Sequence, residues 1–126
     1  MTEITPGLTH TSTLEVTPGL TAEAMGSGDM PVLATPAMVA LMENAAMMAV
    51  APHLDRNAAT VGGHIDASHL KATPVGATVS ARAVLTAVEG RKLTFEIEAR
   101  EGDTVIGKAT HLRFIVDRQK FMDGTK

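Results

Sequence analysis

The sequence predicts an α+β fold in which an antiparallel sheet wraps around one long, central, apolar helix. Three observations predict it. Residues 34–52, ATPAMVALMENAAMMAVAP, form a helix-length apolar run whose one charge is Glu43. The segments after that run alternate apolar and polar residues with period two. The last three of these segments are joined by short turns, the mark of an antiparallel meander.

Residues 1–13 are mostly polar, with Pro6 and Gly7, and are expected to form a loose arm or an edge segment. TLEVTPGL, residues 13–20, reads as a strand ending at a Pro-Gly break. MGSGDMPVLA, residues 25–34, reads as a second, short and irregular strand leading to the helix. Thr35 is expected at the helix N-cap, Pro36 at the first helical position, and Pro52 as the stop. Val39, Leu41, Met42, Ala45, Ala46, Met47 and Val50 leave hardly any face polar, so the helix should be buried on nearly every side.

VGGHIDASHL, residues 61–70, is a strand with a double glycine near its start, and KATPVG is a loop. ATVSARAVLTAV follows, with Val79, Ala81, Ala83, Leu85 and Ala87 on one face. After the EGRK turn, KLTFEIEAR alternates with Leu93, Phe95, Ile97 and Ala99 inward. EGD turns the chain into a last long strand, TVIGKATHLRFIVD. Residues 14–118 are thus one domain and 119–126 a tail. This is a hotdog-type arrangement. One sheet covers only part of such a helix, so at least a homodimer is expected. Met25, Met30, Met38, Met42, Met47 and Met48 read as adaptable core filler.

Composition excludes several functions. The net charge is −3, and no basic stretch carries interleaved aromatics, which argues against nucleic-acid binding. With three Phe and no Trp or Tyr, stacking on a base or flavin is not the expected mode of recognition. With no cysteine there is no disulfide, thiolate metal site or cysteine nucleophile, and a reducing compartment suits the chain. The five histidines lack HExxH or HxxxH spacing, so neither a metal nor another cofactor is expected. The N-terminus has no basic-then-apolar signal, and Glu43 and Asn44 interrupt a run already too short to span a bilayer. A cytoplasmic protein without membrane attachment is the expectation.

Three residues could carry chemistry. Glu43 is a carboxylate on a helix that otherwise avoids water, and a buried, unpaired carboxylate costs several kcal/mol. His69 ends a strand just before a Pro-containing loop. Thr35 opens the helix, where its hydroxyl and the amides of Ala37 and Met38 would lie at the positive end of the helix dipole. Each also has a plain structural reading: a solvated acid, a solvated histidine and a helix cap. His111 and Arg113 share one strand face by parity.

TPAMVALME, SHLKATPVG and GKATHLRFIVD, in this order and spacing, resemble the fluoroacetyl-CoA thioesterase-like branch of the hotdog superfamily, over about residues 14–118. The resemblance implies hydrolysis of an acyl-CoA thioester by Thr35, Glu43 and His69. It also implies that Gly62 lies close to the acyl group and that Arg113 contacts the CoA portion of the substrate. The fluoroacetyl-specific enzyme closes its pocket with phenylalanines upstream of the helix, and MGSGDMPVLA has none. The resemblance therefore carries the reaction class and not the substrate.

Thr35 and Glu43 are eight residues apart on one helix, a separation of roughly 12 Å, beyond any direct hydrogen bond. Either His69 and substrate bridge them, or Glu43 acts beside Thr35 of a second subunit. Two mechanisms stay open: Glu43 activates water or attacks directly, or Thr35 attacks with His69 as base. Two other functions also remain, a non-catalytic acyl-CoA-binding dimer and an enoyl-CoA hydratase-type enzyme.

Overall fold

The computed structural model describes residues 3–126. Strand β1 (Thr9–Glu15) leads into the short helix α1 (Ala22–Met25) and the long helix α2 (Thr35–Val50). Four strands follow: β2 (Ala58–His69), β3 (Thr78–Glu89), β4 (Lys92–Glu101) and β5 (Thr104–Asp117). Helix α3 (Arg118–Asp123) lies within the segment read as a tail. The five strands form one antiparallel sheet in the order β1-β3-β4-β5-β2. The predicted meander is β3-β4-β5, and β1 and β2 are the edges.

The sheet curls around α2. Ala37, Met38, Leu41, Met42, Ala45, Ala46, Ala49 and Val50 of the helix are buried. They face Val79, Ala81, Ala83 and Leu85 of β3 and Leu93, Phe95, Ile97 and Ala99 of β4, all buried as the period-two pattern requires. The alanines let the helix axis approach the sheet closely, and Phe95 fills the middle of the core.

The structure refines the sequence expectation in β1, in residues 25–34, in β3 and in the methionines. Of the two readings open for residues 1–13, loose arm or edge segment, residues 9–13 take the edge: they pair with β3, with Thr9 opposite Val84 and Thr13 opposite Ser80. β-Branched threonines at 9, 11 and 13 suit an edge strand, whose outer face can be polar. The first two residues of the expected arm lie outside the described residues. Residues 25–34 do not form a strand. Thr21 caps α1 by accepting from the Ala24 amide at 3.2 Å, and Gly26 ends it at φ 76°. What is extended there is reduced to the bridges Thr21–Leu33 and Val32–Pro74.

In β3 the inward alternation skips Ala87. A bulge between Leu85 and Ala87 shifts the register, so Val88 pairs with Leu93 and packs on the core. Of the methionines, Met38 and Met42 are core, whereas Met25, Met30 and Met48 are exposed. Met48 belongs to a stripe with Pro36, Ala40 and the polar Asn44 where α2 is uncovered in a single chain. Among the described residues no helix is long and apolar enough to cross a membrane.

Candidate active site

Thr35 is not the N-cap. Ala34 takes that place with extended φ/ψ, and Thr35 is the first helical residue. Its hydroxyl is therefore free of capping, and Oγ1 lies 2.8 Å from His69 Nδ1. The end of β2 delivers His69 to the start of α2, so two of the three predicted residues meet. His69 Nε2 is buried and has no hydrogen-bond partner among the described residues. The amides of Ala37 and Met38 are not free for a ligand, since both donate to the Ala34 carbonyl at 3.1 Å. A cavity of about 400 Å³ opens on the pair, lined by Asp29, Met30, Leu33, Leu70 and Lys71 among others.

Glu43 lies two turns along α2 and belongs to a second cluster. It is partly exposed, its side chain at 41 %, so it is not the fully buried acid the apolar helix suggested. Its Oε2 is 4.0 Å from Arg113 Nη1. Gly62 sits against the same groups: a Cβ placed there would lie 3.0 Å from Glu43 Oε2, 3.2 Å from His111 Cε1 and 3.4 Å from Arg113 Nη1. Only glycine leaves this corner open.

Arg113 is 7 % exposed and points to the inside of the sheet. Its Nε donates to Thr60 Oγ1 and its Nη2 to the Thr60 carbonyl, both at 2.9 Å. His111 lies beside it, with Nε2 3.2 Å from Arg113 Nη1. Burial pulls the pKa of both side chains below its ordinary value. For His111 the bond to the His64 carbonyl opposes burial and the Arg113 charge adds to it; for Arg113 Glu43 opposes burial. The placement sets Arg113 beside Glu43 and Gly62 rather than on the surface, where a CoA phosphate contact would be.

The structure thus brings Thr35 to His69, and Glu43 to Gly62 and Arg113. Among the described residues no hydrogen bond joins the two clusters. Sequence reading passed over Thr60 and the joint burial of His111. The available signal was parity: Gly107, Ala109, His111 and Arg113 alternate on one face of β5, and the apolar pattern there gives way to two basic side chains.

A sequence model of the fluoroacetyl-CoA-specific thioesterase family matches residues 16–119. A fluoroacetyl-CoA thioesterase from Streptantibioticus cattleyicolor is 42% identical over 90 residues, 71% of this chain and 65% of that protein. The match thus spans just under two thirds of that relative's length. A solved structure of the fluoroacetyl-CoA thioesterase FlK superposes with a TM-score of 0.91 at 34% identity, covering 98% of this chain and 96% of that one. A thioesterase superfamily member from Thermus thermophilus superposes with a TM-score of 0.89 at 28% identity, covering 98% and 91%.

Proposed function

The chain belongs to the fluoroacetyl-CoA-specific thioesterase family, and we propose that it hydrolyses an acyl-CoA thioester to the free acid and CoA. The observation that carries this reading is the 2.8 Å contact between Thr35 Oγ1 and His69 Nδ1 at the start of α2. A hydroxyl held on an imidazole is an activated nucleophile. Thr35 Oγ attacks the thioester carbonyl while His69 takes its proton. The C–S bond breaks, and the CoA thiolate receives that proton from His69. Water, deprotonated by His69, then cleaves the acyl ester and returns the Thr35 hydroxyl. The dipole of α2 favours the negative charge that develops at the helix start.

Glu43 joins this site from a second copy of the chain. Three observations support a homodimer. β2 is a 12-residue strand at the sheet edge, a ready template for pairing. α2 carries an exposed, mainly apolar stripe of Pro36, Ala40 and Met48 around Asn44, with Met48 at 38 %. His69 Nε2 has no partner among the described residues, and a carboxylate is the usual orienting group for a catalytic histidine. Antiparallel pairing of β2 with its symmetry mate turns the Glu43 cluster of one copy toward the Thr35–His69 pair of the other. Gly62 borders the acyl group there, and Arg113 holds Glu43 rather than the CoA phosphates.

The acyl group is small to medium. The segment over Thr35, residues 25–34, has no aromatic residue, and Met30 is 61 % exposed. Fluoroacetyl selectivity is therefore not assigned. The absence of cysteine fits a cytoplasmic enzyme.

The test is thiol release from acetyl-, medium-chain and phenylacetyl-type CoA esters. Release from at least one class is expected, with turnover lowered at least about a hundredfold in Glu43→Gln and His69→Ala. Tight acyl-CoA binding by calorimetry without thiol release would replace the hydrolase by a binding module. Water addition to an enoyl-CoA without hydrolysis would replace it by a hydratase.

A further inference from the structure

The inner face of β5 ends on two basic side chains, His111 at 1 % exposure and Arg113 at 7 %. Placing two such groups side by side in a core is costly unless each polar atom is matched. Arg113 has a visible task beside Glu43. His111 forms no hydrogen bond with Thr35, Glu43 or His69, and its two ring nitrogens are used elsewhere.

The tautomer follows from the partners. A guanidinium only donates, so His111 Nε2 accepts from Arg113 Nη1 at 3.2 Å. The ring proton is then on Nδ1, which donates to the His64 carbonyl at 2.7 Å. A protonated ring would set an N–H against the N–H of Arg113, cation to cation.

Both anchors of this assembly are on β2, and they flank its bulge between Gly62 and His64. Thr60 holds Nε and Nη2 of Arg113 from one side of the bulge. His64, through His111, holds Nη1 from the other. The Phe95 ring of β4 lies beside the imidazole, tilted by 34°, with centroids 6.4 Å apart. With its other nitrogens tied to Thr60, the guanidinium presents Nη1 to Glu43.

We propose that His111 is a positioning residue: as the neutral Nδ1–H tautomer it fixes the Arg113 guanidinium against Glu43 and couples that placement to the Gly62–His64 bulge. The part of this that concerns turnover rests on the hydrolase reading; the part that concerns tautomer and contact does not.

The experiment is a double-mutant cycle on thiol release with His111→Leu, Arg113→Met and the double variant, with His111→Gln as the conservative control. Loss of one hydrogen bond to a charged group predicts that His111→Leu lowers kcat about tenfold, with KM within about twofold. His111→Gln, which retains an acceptor, should stay within about threefold of wild type. In the Arg113→Met background, His111→Leu should change kcat by less than about twofold, since its effect passes through Arg113. Additive losses, or an unchanged kcat in His111→Leu, would overturn the proposal. Should His111→Leu fail to fold, His111→Asn takes its place, retaining a donor for His64 but falling short of Arg113.

Long-range ¹H–¹⁵N spectra give a readout independent of activity. A neutral Nδ1–H ring for His111 and an Arg113 Nε–H resonance that moves in His111→Leu are expected. A ring protonated at Nε2, or an unmoved Arg113 signal, would overturn the proposal even if no CoA ester is hydrolysed. A wild type without hydrolysis but with the expected spectra would sink the hydrolase reading and the turnover claim while upholding the contact.

Discussion

Thr35 shows how far a single position can change the reading of a residue. Thr-Pro before an apolar run reads as cap and first helical residue, and the cap alone would account for the threonine. Ala34 supplies the cap backbone instead, and the hydroxyl moves to His69. A one-residue shift at a helix start lies within the ordinary uncertainty of boundaries, yet it separates a structural hydroxyl from a chemical one. His111 makes the same point inside the sheet, and it has a consequence for stability. Burial holds its pKa below the ordinary 6.5. The unfolded chain then binds more protons than the folded one as pH drops, so stability rises with pH up to about 6.5 and is flat above. Urea unfolding should therefore show wild type losing stability below that point, by up to about 1.4 kcal/mol per pH unit. His111→Gln should lose less over the same interval. Equal losses in the two proteins would mean that His111 is not held neutral by the fold.

At the scale of elements, the parts legible in sequence are those with an unbroken period. The α2 run and the alternation of β4 needed only side-chain polarity, and Leu93, Phe95, Ile97 and Ala99 are inward as expected. The parts left open or misread are those where tertiary partners decide. β1 has few apolar residues because it is an edge, and its threonines left loose arm and edge segment both open. The bulge in β3 moved Val88 inward at the expense of Ala87. Residues 25–34, rich in glycine, took a capped turn of helix rather than a strand.

The bulge in β2 matters most for the site. It interrupts the pairing with β5 next to Gly62 and lets that backbone lie against Glu43 of α2. Gly62→Ala should therefore lower thiol release at least about tenfold, since a methyl there displaces Glu43 or Arg113. The melting temperature should fall by less than about 5 °C, because the displaced Glu43 is partly exposed and can yield. Full activity in Gly62→Ala would show that the corner plays no part in turnover.

For the whole molecule, two of the three resemblance-derived catalytic residues meet within one chain and the third does not. The helix geometry read from sequence already required this separation, and the fold keeps it: Thr35 and His69 at one end of α2, Glu43 with Arg113 two turns on. Sequence could not say which alternative joins them, because under the proposed homodimer the answer depends on how a second copy sits on β2. In the proposed homodimer the same second copy would also cover the exposed stripe of α2.

The most direct measurement is therefore subunit mixing. Thr35→Val and Glu43→Gln are each purified, shown to be inactive, then unfolded, mixed in equal amounts and refolded together. If each site takes Thr35 and His69 from one copy and Glu43 from the other, half of the dimers are mixed and carry one intact site of two. Thiol release should then recover to about one quarter of the wild-type rate. A refolded mixture that stays as inactive as its components, beside an active wild type treated in the same way, would place the complete site within a single chain and contradict the account.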